Sequence, residues 1–420
     1  MSLVRIGVFG AGRGDFVANF CFKTHEAKLV AVCDKREELL EDFKKRPGVT
    51  CYTSFDDFIN HDMDAVVIAN YAHEHAPYAI RCLKKGLHVL SEVLTAYSLK
   101  EAVELVEAVE NSGCIYSYAE NYCYMPATLE FKELYQSNKL GVLEYAEGEY
   151  IHNCEPIWAD ITYGDKNHWR NNMSCNFYCS HSIGPIIHAT KLKPISVVGF
   201  EVPYSPRIAN MGAKFGAAGI EMITLENGAI IRSTHGNLAK NSIWFSMYGT
   251  KGRVESAREG TNSGDMLTVY KDLDKTEVVS DGKLEVIHPE HPLSKKAKGL
   301  GHNDSDYYPM HYFIEAIKGN KDADTIDVYE AMDMSIIGIL AYYSVLDGNK
   351  PYHIPNLRIK EERDLVRNDD RKVGRDLPSY SRTKIEIDDI IYEQLRNKYI
   401  KNLKEKNKWL NAHLKSHLLH

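Results

Sequence analysis

Apolar residues in the first 120 positions come in short solid runs rather than in alternation. Val4-Arg5-Ile6-Gly7-Val8-Phe9, Leu29-Val30-Ala31-Val32-Cys33, Ala65-Val66-Val67-Ile68-Ala69 and His88-Val89-Leu90 have the composition of strands buried on both faces of a parallel sheet. Between them the period turns helical. Phe16, Val17, Phe20 and Cys21 follow the first run at helical spacing, and His75 to Lys85 forms a segment closed by Gly86. Leu99, Ala102, Val103, Val106 and Val109 share one face of a helix opened by the capping box Ser98-Leu99-Lys100-Glu101 and closed at Gly113. Ile115 to Tyr118 supplies one more strand. This alternation predicts an α/β fold, a doubly wound parallel sheet over residues 1–123.

From Gly141 onward the period changes to two. Leu143 to Ile151, Ile195 to Val202, Glu221 to Glu226 and Ala229 to Thr234 read as strands, the last two joined by the turn Asn227-Gly228. Ser242 to Tyr248 runs through Gly249-Thr250-Lys251-Gly252 into Arg253-Val254-Glu255. Glu277-Val278-Val279 meets Lys283-Leu284-Glu285-Val286 through Asp281-Gly282. Antiparallel hairpins are expected, in an α+β domain over residues 124–356 with an open, mainly antiparallel sheet that ends in two helices, Met310 to Ile317 and Val328 to Leu346. Residues 357–420 form a charged extension. In it Ile391, Leu395, Leu403, Leu410 and Leu414 make an imperfect apolar stripe, suited to packing on the body or on a neighbouring subunit.

Composition narrows the functional classes. The chain has 420 residues, 44% of them apolar, and a net charge of -7, which leaves no overall attraction to nucleic acid or acidic lipid. Nine cysteines without a Cys-x-x-Cys pair predict reduced thiols and no disulfide framework. No stretch reaches membrane-spanning length and Met1-Ser2-Leu3 leads into a strand, so a cytoplasmic protein is expected. Cys175, Cys179 and His181 lack a second half at zinc spacing, and no metal is expected.

The first strand ends in Gly10-Ala11-Gly12-Arg13-Gly14, the turn that lets a pyrophosphate approach a helix N-terminus without a Cβ in the way. Asp34 follows 24 residues after Gly10, close to the ~20-residue interval of a ribose-binding acid. The third glycine of the fingerprint is displaced: Asp15 stands in its place and Gly14 comes one residue early. The expected cofactor is NAD, with NADP as second choice because Lys35 and Arg36 could meet a 2′-phosphate.

These motifs, with Asn70, His75 and Gly86-Leu87-His88-Val89-Leu90-Ser91-Glu92, resemble the glucose-fructose oxidoreductase, inositol dehydrogenase and MocA family over residues 4–356. The resemblance implies a Rossmann domain, a second domain whose open sheet builds a homo-oligomer interface, and a small sugar or glycoside held between them. The family's Glu-Lys-Pro is here Glu92-Val93-Leu94, so the lysine beside the reacting hydroxyl is missing. Glu120-Asn121-Tyr122-Cys123-Tyr124, Gly148-Glu149-Tyr150-Ile151-His152, His168-Trp169-Arg170, Ser180-His181-Ser182-Ile183-Gly184-Pro185 and Gly301-His302-Asn303-Asp304-Ser305-Asp306 are similar to a branch of NAD-dependent glycosidases.

That branch implies transient oxidation at the sugar C3, elimination of the aglycone, water addition and re-reduction, without the paired carboxylates of ordinary glycosidases. Net dehydrogenation of a free sugar or cyclitol, and a non-catalytic NAD-binding sensor, are the alternatives. Tyr150 and His152 lie two apart on a strand and leave the same face, and His181 suits a general base; these three are the candidate catalytic residues. Glu120 follows the last Rossmann strand, where ligand contacts cluster. With Trp169, Arg170, Asp306 and Tyr307 it forms the candidate substrate set. Gly10, Gly12, Arg13, Gly14, Asp34, Asn70, His75, Glu92 and Asn121 are the candidate cofactor contacts.

Overall fold

The computed structural model describes residues 3–258, 265–273, 285–374 and 387–417, with side chains described through residue 406. Six strands, β1 (Val4–Phe9), β2 (Ala27–Cys33), β3 (Thr50–Tyr52), β4 (Ala65–Ile68), β5 (His88–Ser91) and β6 (Tyr116–Tyr118), form a sheet in the order 3-2-1-4-5-6. All its pairings are parallel. This is the doubly wound dinucleotide-binding order, and its switch point lies between β1 and β4, where ligands bind. Its helices include α1 (Asp15–Thr24), α2 (His75–Lys84) and α3 (Leu99–Ser112). Ser98 caps α3, its Oγ accepting from the Glu101 amide at 3.2 Å, while the Glu101 carboxylate reaches one residue further back and accepts from the Tyr97 amide at 2.9 Å.

The chain then passes through α4 (Pro126–Gln136) into a nine-stranded sheet. Its strands are β7 (Leu143–Ile151), β8 (Pro194–Glu201), β9 (Ala218–Leu225), β10 (Ile230–Gly236), β11 (Ser242–Gly249), β12 (Gly252–Ala257), β13 (Asp265–Asp272), β14 (Glu285–Ile287) and β15 (Tyr352–His353). They are ordered 14-13-12-11-7-10-9-8-15. β9 and β10 pair as the Asn227-Gly228 hairpin, and β11 and β12 as the Gly249–Gly252 hairpin. The sheet is mainly antiparallel, as expected, with one parallel pair, β7 and β10. A parallel pair needs a crossover rather than a tight turn, and here the chain leaves β7 through α5 (Ser180–Thr190) before returning by β8 and β9. The strand expected at Glu277-Val278-Val279 and the turn Asp281-Gly282 lie outside the described residues; β14 pairs antiparallel with β13.

Two helices follow, α6 (Tyr307–Ile317) and α7 (Val328–Leu346). α7 is buried along nearly its whole length, as an apolar helix must be, and packs on β8 on one side and on α3 and β6 on the other. It joins the two sheets into one core. The extension is ordered where it is described. α8 (Lys360–Val366) and the turn after it dock on α3 through Arg363–Glu110 and Arg367–Glu107. α9 (Asp389–His417) packs on the short helix Trp158–Thr162. The face it buries carries Tyr392 and Tyr399 beside Leu395 and the half-buried Leu403 of the expected stripe, and Tyr392 donates to Gly212 O at 2.9 Å. Leu410 and Leu414 lie beyond the described side chains. Among the described residues no helix is long and apolar enough to cross a membrane.

Candidate active site

A cleft of about 890 Å³ opens at the switch point of the parallel sheet, within the size range of cofactor sites. Gly10, Gly12, Arg13, Asp34, Arg36, Asn70, His75 and Glu92 line one wall, and Tyr163, Trp169, Arg170 and Tyr178 the other. The three glycines divide the work. Gly10 has φ +103°, and a Cβ there would lie 2.3 Å from Ala69 O. A Cβ on Gly12 would point across the open cleft, 3.5 Å from the Tyr163 hydroxyl. Gly14 faces away from the cleft: a Cβ would meet Val8 at 2.3 Å. Gly14 therefore supplies the close helix–strand packing of the displaced third glycine, one position early.

At the outer end Asp34 is buried and accepts from the Ala11 amide at 3.0 Å and from Arg36 Nε and Nη2, both at 3.1 Å. Arg36 lies over the Tyr163 ring at 3.6 Å, and its Nη1 is buried without a partner. Asn70 Oδ1 is likewise unpartnered and buried. Orphaned buried polar atoms beside an open glycine cradle are what a polar dinucleotide would satisfy, so these residues fit the group. His75 Nδ1 meets Leu94 O at 2.8 Å and pins the ends of β4 and β5 together. Burial pushes its pKa down to about 4, so it stays neutral.

Midway along the cleft Arg13 pairs with Glu92 at 2.9 Å and with Asp306 at 3.0 Å. Asp306 also accepts from Asn121 Nδ2 at 2.9 Å and meets His302 Nδ1 at 2.8 Å. It is buried, yet His302 and Arg13 hold its carboxyl well below the usual range. Both Asp306 and Asn121 are thus spent on orienting Arg13. Desolvation raises the pKa of buried Glu92 against the pull of Arg13. Val93 lines the cleft as an apolar side chain.

At the inner end only Tyr178 lines the cleft, and the candidate catalytic side chains stand behind it, brought together by a close approach. A Cβ on Gly148 would lie 1.7 Å from Ser182 O, so glycine alone lets the first turn of α5 rest on β7. That contact sets His181 beside Tyr150, ring centroids 4.6 Å apart, with Tyr122 at 4.6 Å and Tyr178 at 5.2 Å from the same imidazole. His181 Nδ1 lies 2.6 Å from Glu120 Oε1. Because a carboxylate only accepts, Nδ1 is the donor in this pair, and Nε2 is the ring nitrogen turned from Glu120. Tyr150 Oη lies 3.0 Å from His152 Nδ1. Burial and the neighbouring Tyr122 push the Tyr150 pKa well up, while burial lowers that of His152. Tyr150 is then the donor and neutral His152 the acceptor.

Three placements differ from the sequence reading. Glu120 is fully buried off the cleft wall and bonds His181 through Oε1, leaving Oε2 without a partner. Tyr307 does not reach the cleft: its hydroxyl donates to Glu26 at 2.9 Å and its ring packs near Phe20 behind the Rossmann layer. Trp169 lines the cleft, but Arg170 already covers its face at 4.5 Å, so it offers a pyranose little free platform. Tyr122, Tyr163 and Tyr178 were not singled out from the sequence. Tyr178, one turn before His181, had a usable spacing signal; Tyr163 had none. Among the described residues no group of three or more His, Cys, Asp or Glu side chains could hold a metal ion.

The fold and cleft define an NAD-binding Rossmann-fold enzyme of the oxidoreductase class. A family model for the oxidoreductase family with NAD-binding Rossmann fold matches residues 4–120, and one for the glycosyl hydrolase 109 C-terminal domain matches residues 206–360. The two matches and the relatives below support the glucose-fructose oxidoreductase, inositol dehydrogenase and MocA family and its glycosyl hydrolase 109 branch. It is 25% identical over 392 residues to an alpha-N-acetylgalactosaminidase of Bacteroides fragilis, covering 85% of this chain and 92% of that one. A glycosyl hydrolase family 109 protein of Phocaeicola vulgatus is 26% identical over 404 residues, covering 83% and 77%. Among solved structures, levoglucosan dehydrogenase in complex with NADH superposes with a TM-score of 0.69 at 17% identity, covering 84% of this chain and all of that one. Myo-inositol 2-dehydrogenase of Lactobacillus plantarum gives 0.65 at 19% identity, with coverage of 84% and 100%. At such identities these two establish the fold alone.

Proposed function

We propose that this protein cleaves a glycoside by a redox-neutral, NAD-dependent route. The observation that carries the reading is the Glu120–His181 pair set against the Tyr150–His152 pair, directly behind Tyr178 of the cleft wall. When bound, NAD supplies a hydride acceptor that takes the C3 hydrogen of the sugar and later returns it. His181 Nε2 accepts the C3 hydroxyl proton, while Glu120 holds the ring and balances the imidazolium. The C3 ketone acidifies the C2 hydrogen. Tyr150 takes that proton as its own passes to His152, and the C1–O bond breaks with the electron pair leaving on the aglycone. The oxygen of a water adds to C1 of the resulting enone while one of its protons ends on the aglycone oxygen; C2 regains its proton from Tyr150 as His152 returns one to Tyr150, and reduction of C3 with the proton held by His181 restores the hydroxyl. Val93 supports this over net oxidation, because no lysine stands where the family's dehydrogenases place one.

The buried carboxylate of Asp34 favours NAD over NADP. Arg36 is already neutralised by it, so a 2′-phosphate would meet a negative group with its cation spent. Residues 1–123 would bind this cofactor and 124–356 the sugar. Tyr248, Ile230 and Phe200, exposed on the open face of the second sheet, support self-association into a homo-oligomer. A panel of chromogenic glycosides tests the activity, beginning with α-N-acetylgalactosaminides because of the Bacteroides fragilis relative. Aglycone release without lasting NADH absorbance is the expected result; NADH build-up without release would replace the reading with a sugar dehydrogenase.

A further inference from the structure

α9 lies beyond the residues matched by either family model, yet it forms part of the cleft: Tyr399, Asn402, Leu403 and Lys406 line its outer end. We propose that α9 is a cofactor strap, in which Tyr399 donates a hydrogen bond to the adenosine half of the dinucleotide and the helix closes the exit behind it. The proposal rests on the dinucleotide reading of the cleft.

Tyr399 is 6% exposed, and its hydroxyl has no hydrogen-bond partner in the protein. Burial raises its pKa, so the hydroxyl stays a donor. A buried donor left unsatisfied is costly, and here it borders a cavity rather than packed protein. The Tyr399 ring stands edge-on to Tyr163 at 5.5 Å, and Tyr163 in turn carries Arg36 with its own orphaned Nη1. Two unsatisfied donors thus border the end of the cleft where Asp34 marks the ribose. An adenosine offers acceptors to match them, in its ring nitrogens and ribose oxygens.

The helix is tied down on the far side of the cleft from Asp34. Tyr392 donates to Gly212 O, Arg396 to Tyr163 O at 2.9 Å, Lys398 to Pro156 O at 3.0 Å and Asn402 to both Asp160 oxygens at 3.0 Å. Gly164 lets the two backbones touch, since a Cβ there would lie 2.4 Å from Arg396 Cα. A dinucleotide between Asp34 and Tyr399 therefore leaves only when these anchors loosen or the two walls part. For a redox-neutral cycle a captive cofactor suffices, because every turnover regenerates it.

The test needs no sugar. Full-length protein is loaded with NADH and chased with excess NAD, and the decay of NADH fluorescence gives the release rate. In Arg396→Ala/Asn402→Ala the strap loses two anchors, and release should accelerate at least ~10-fold with association faster too. Tyr399→Phe keeps the ring and should weaken NAD binding ~3–10-fold, the scale of one hydrogen bond. Should these variants fail to fold, hydrogen exchange on the unaltered protein decides: residues 392–406 should gain protection when NAD is added. Unchanged release in both variants, or exchange in 392–406 indifferent to NAD, overturns the strap while leaving the cofactor site standing. No dinucleotide binding to the unaltered protein overturns the cofactor reading and the strap with it.

Discussion

At the outer end of the cleft the polar groups are full charges locked in pairs, Asp34 with Arg36 and, further in, Arg13 with Glu92 and Asp306. At the inner end a single carboxylate, Glu120, backs a set of tyrosines and histidines: Tyr122, Tyr150, Tyr178, His152 and His181. The difference follows from what each end must do. Fixed charges hold a ligand in one orientation and gain by not moving. Proton transfer needs groups that change charge with little reorganisation, and buried His and Tyr in hydrogen-bonded pairs meet that need.

If the two ends divide binding from chemistry, variants should divide the same way. The largest effect belongs to the inner end: His181→Ala and Tyr150→Phe should each lower turnover at least ~100-fold, the scale of lost acid–base catalysis. Both should leave NAD affinity unchanged, as read by calorimetric titration. Equal losses of affinity and turnover would merge the two ends into one binding surface.

The joint between the ends predicts a pH effect on stability. His75 has a folded pKa of about 4, below its unfolded ~6.5, so the unfolded chain binds the proton first as pH falls. Stability is therefore full above about pH 6.5 and declines through the window down to about 4, by about 2 kcal/mol at pH 5 from this group. His235, also pushed down to about 4 by burial, adds in the same direction. Urea unfolding at pH 7.5 and pH 5 measures the drop, and His75→Gln should shrink it. A protein equally stable at both values would mean that His75 is not buried neutral.

The outer end was far more legible in the sequence than the inner. Gly10, Gly12 and Asp34 are read from one βαβ unit because strand, turn and acid lie within 31 residues of Val4 and the backbone requirement is specific. Even Gly14, out of register with the fingerprint, turns out to meet the packing need of the missing glycine. The inner end joins positions 120, 150 and 181 from three elements, and nothing local in the chain says that Glu120 and His181 meet. Tyr150 and His152 could be paired because a strand has period two. The strap was hidden for another reason. Its buried seam is Tyr392, Leu395 and Tyr399, and a search for a leucine stripe passes over tyrosines that are half polar.

Affinity at the outer end should respond more gently. Asp34→Ala removes the acceptor of the ribose hydroxyls and frees Arg36, so NAD binding should weaken about tenfold while NADP binding weakens less or improves. Parallel titrations with the two dinucleotides check it. An equal loss for both would show that Asp34 organises the Gly10–Gly12 turn, through the Ala11 amide, rather than reading the ribose.

The smallest effect isolates the cradle itself. Gly12→Ala adds one methyl that meets nothing closer than 3.5 Å, whereas the same change at Gly10 drives a Cβ to 2.3 Å from Ala69 O at a φ of +103°. Gly12→Ala should therefore leave the unfolding midpoint unchanged yet weaken NAD binding roughly threefold to tenfold, because the methyl occupies space a pyrophosphate needs. Turnover at saturating NAD should hold, since the inner end is untouched. A Gly12→Ala protein that binds NAD as before would place the pyrophosphate elsewhere in the cleft and remove the glycine turn from the cofactor's path.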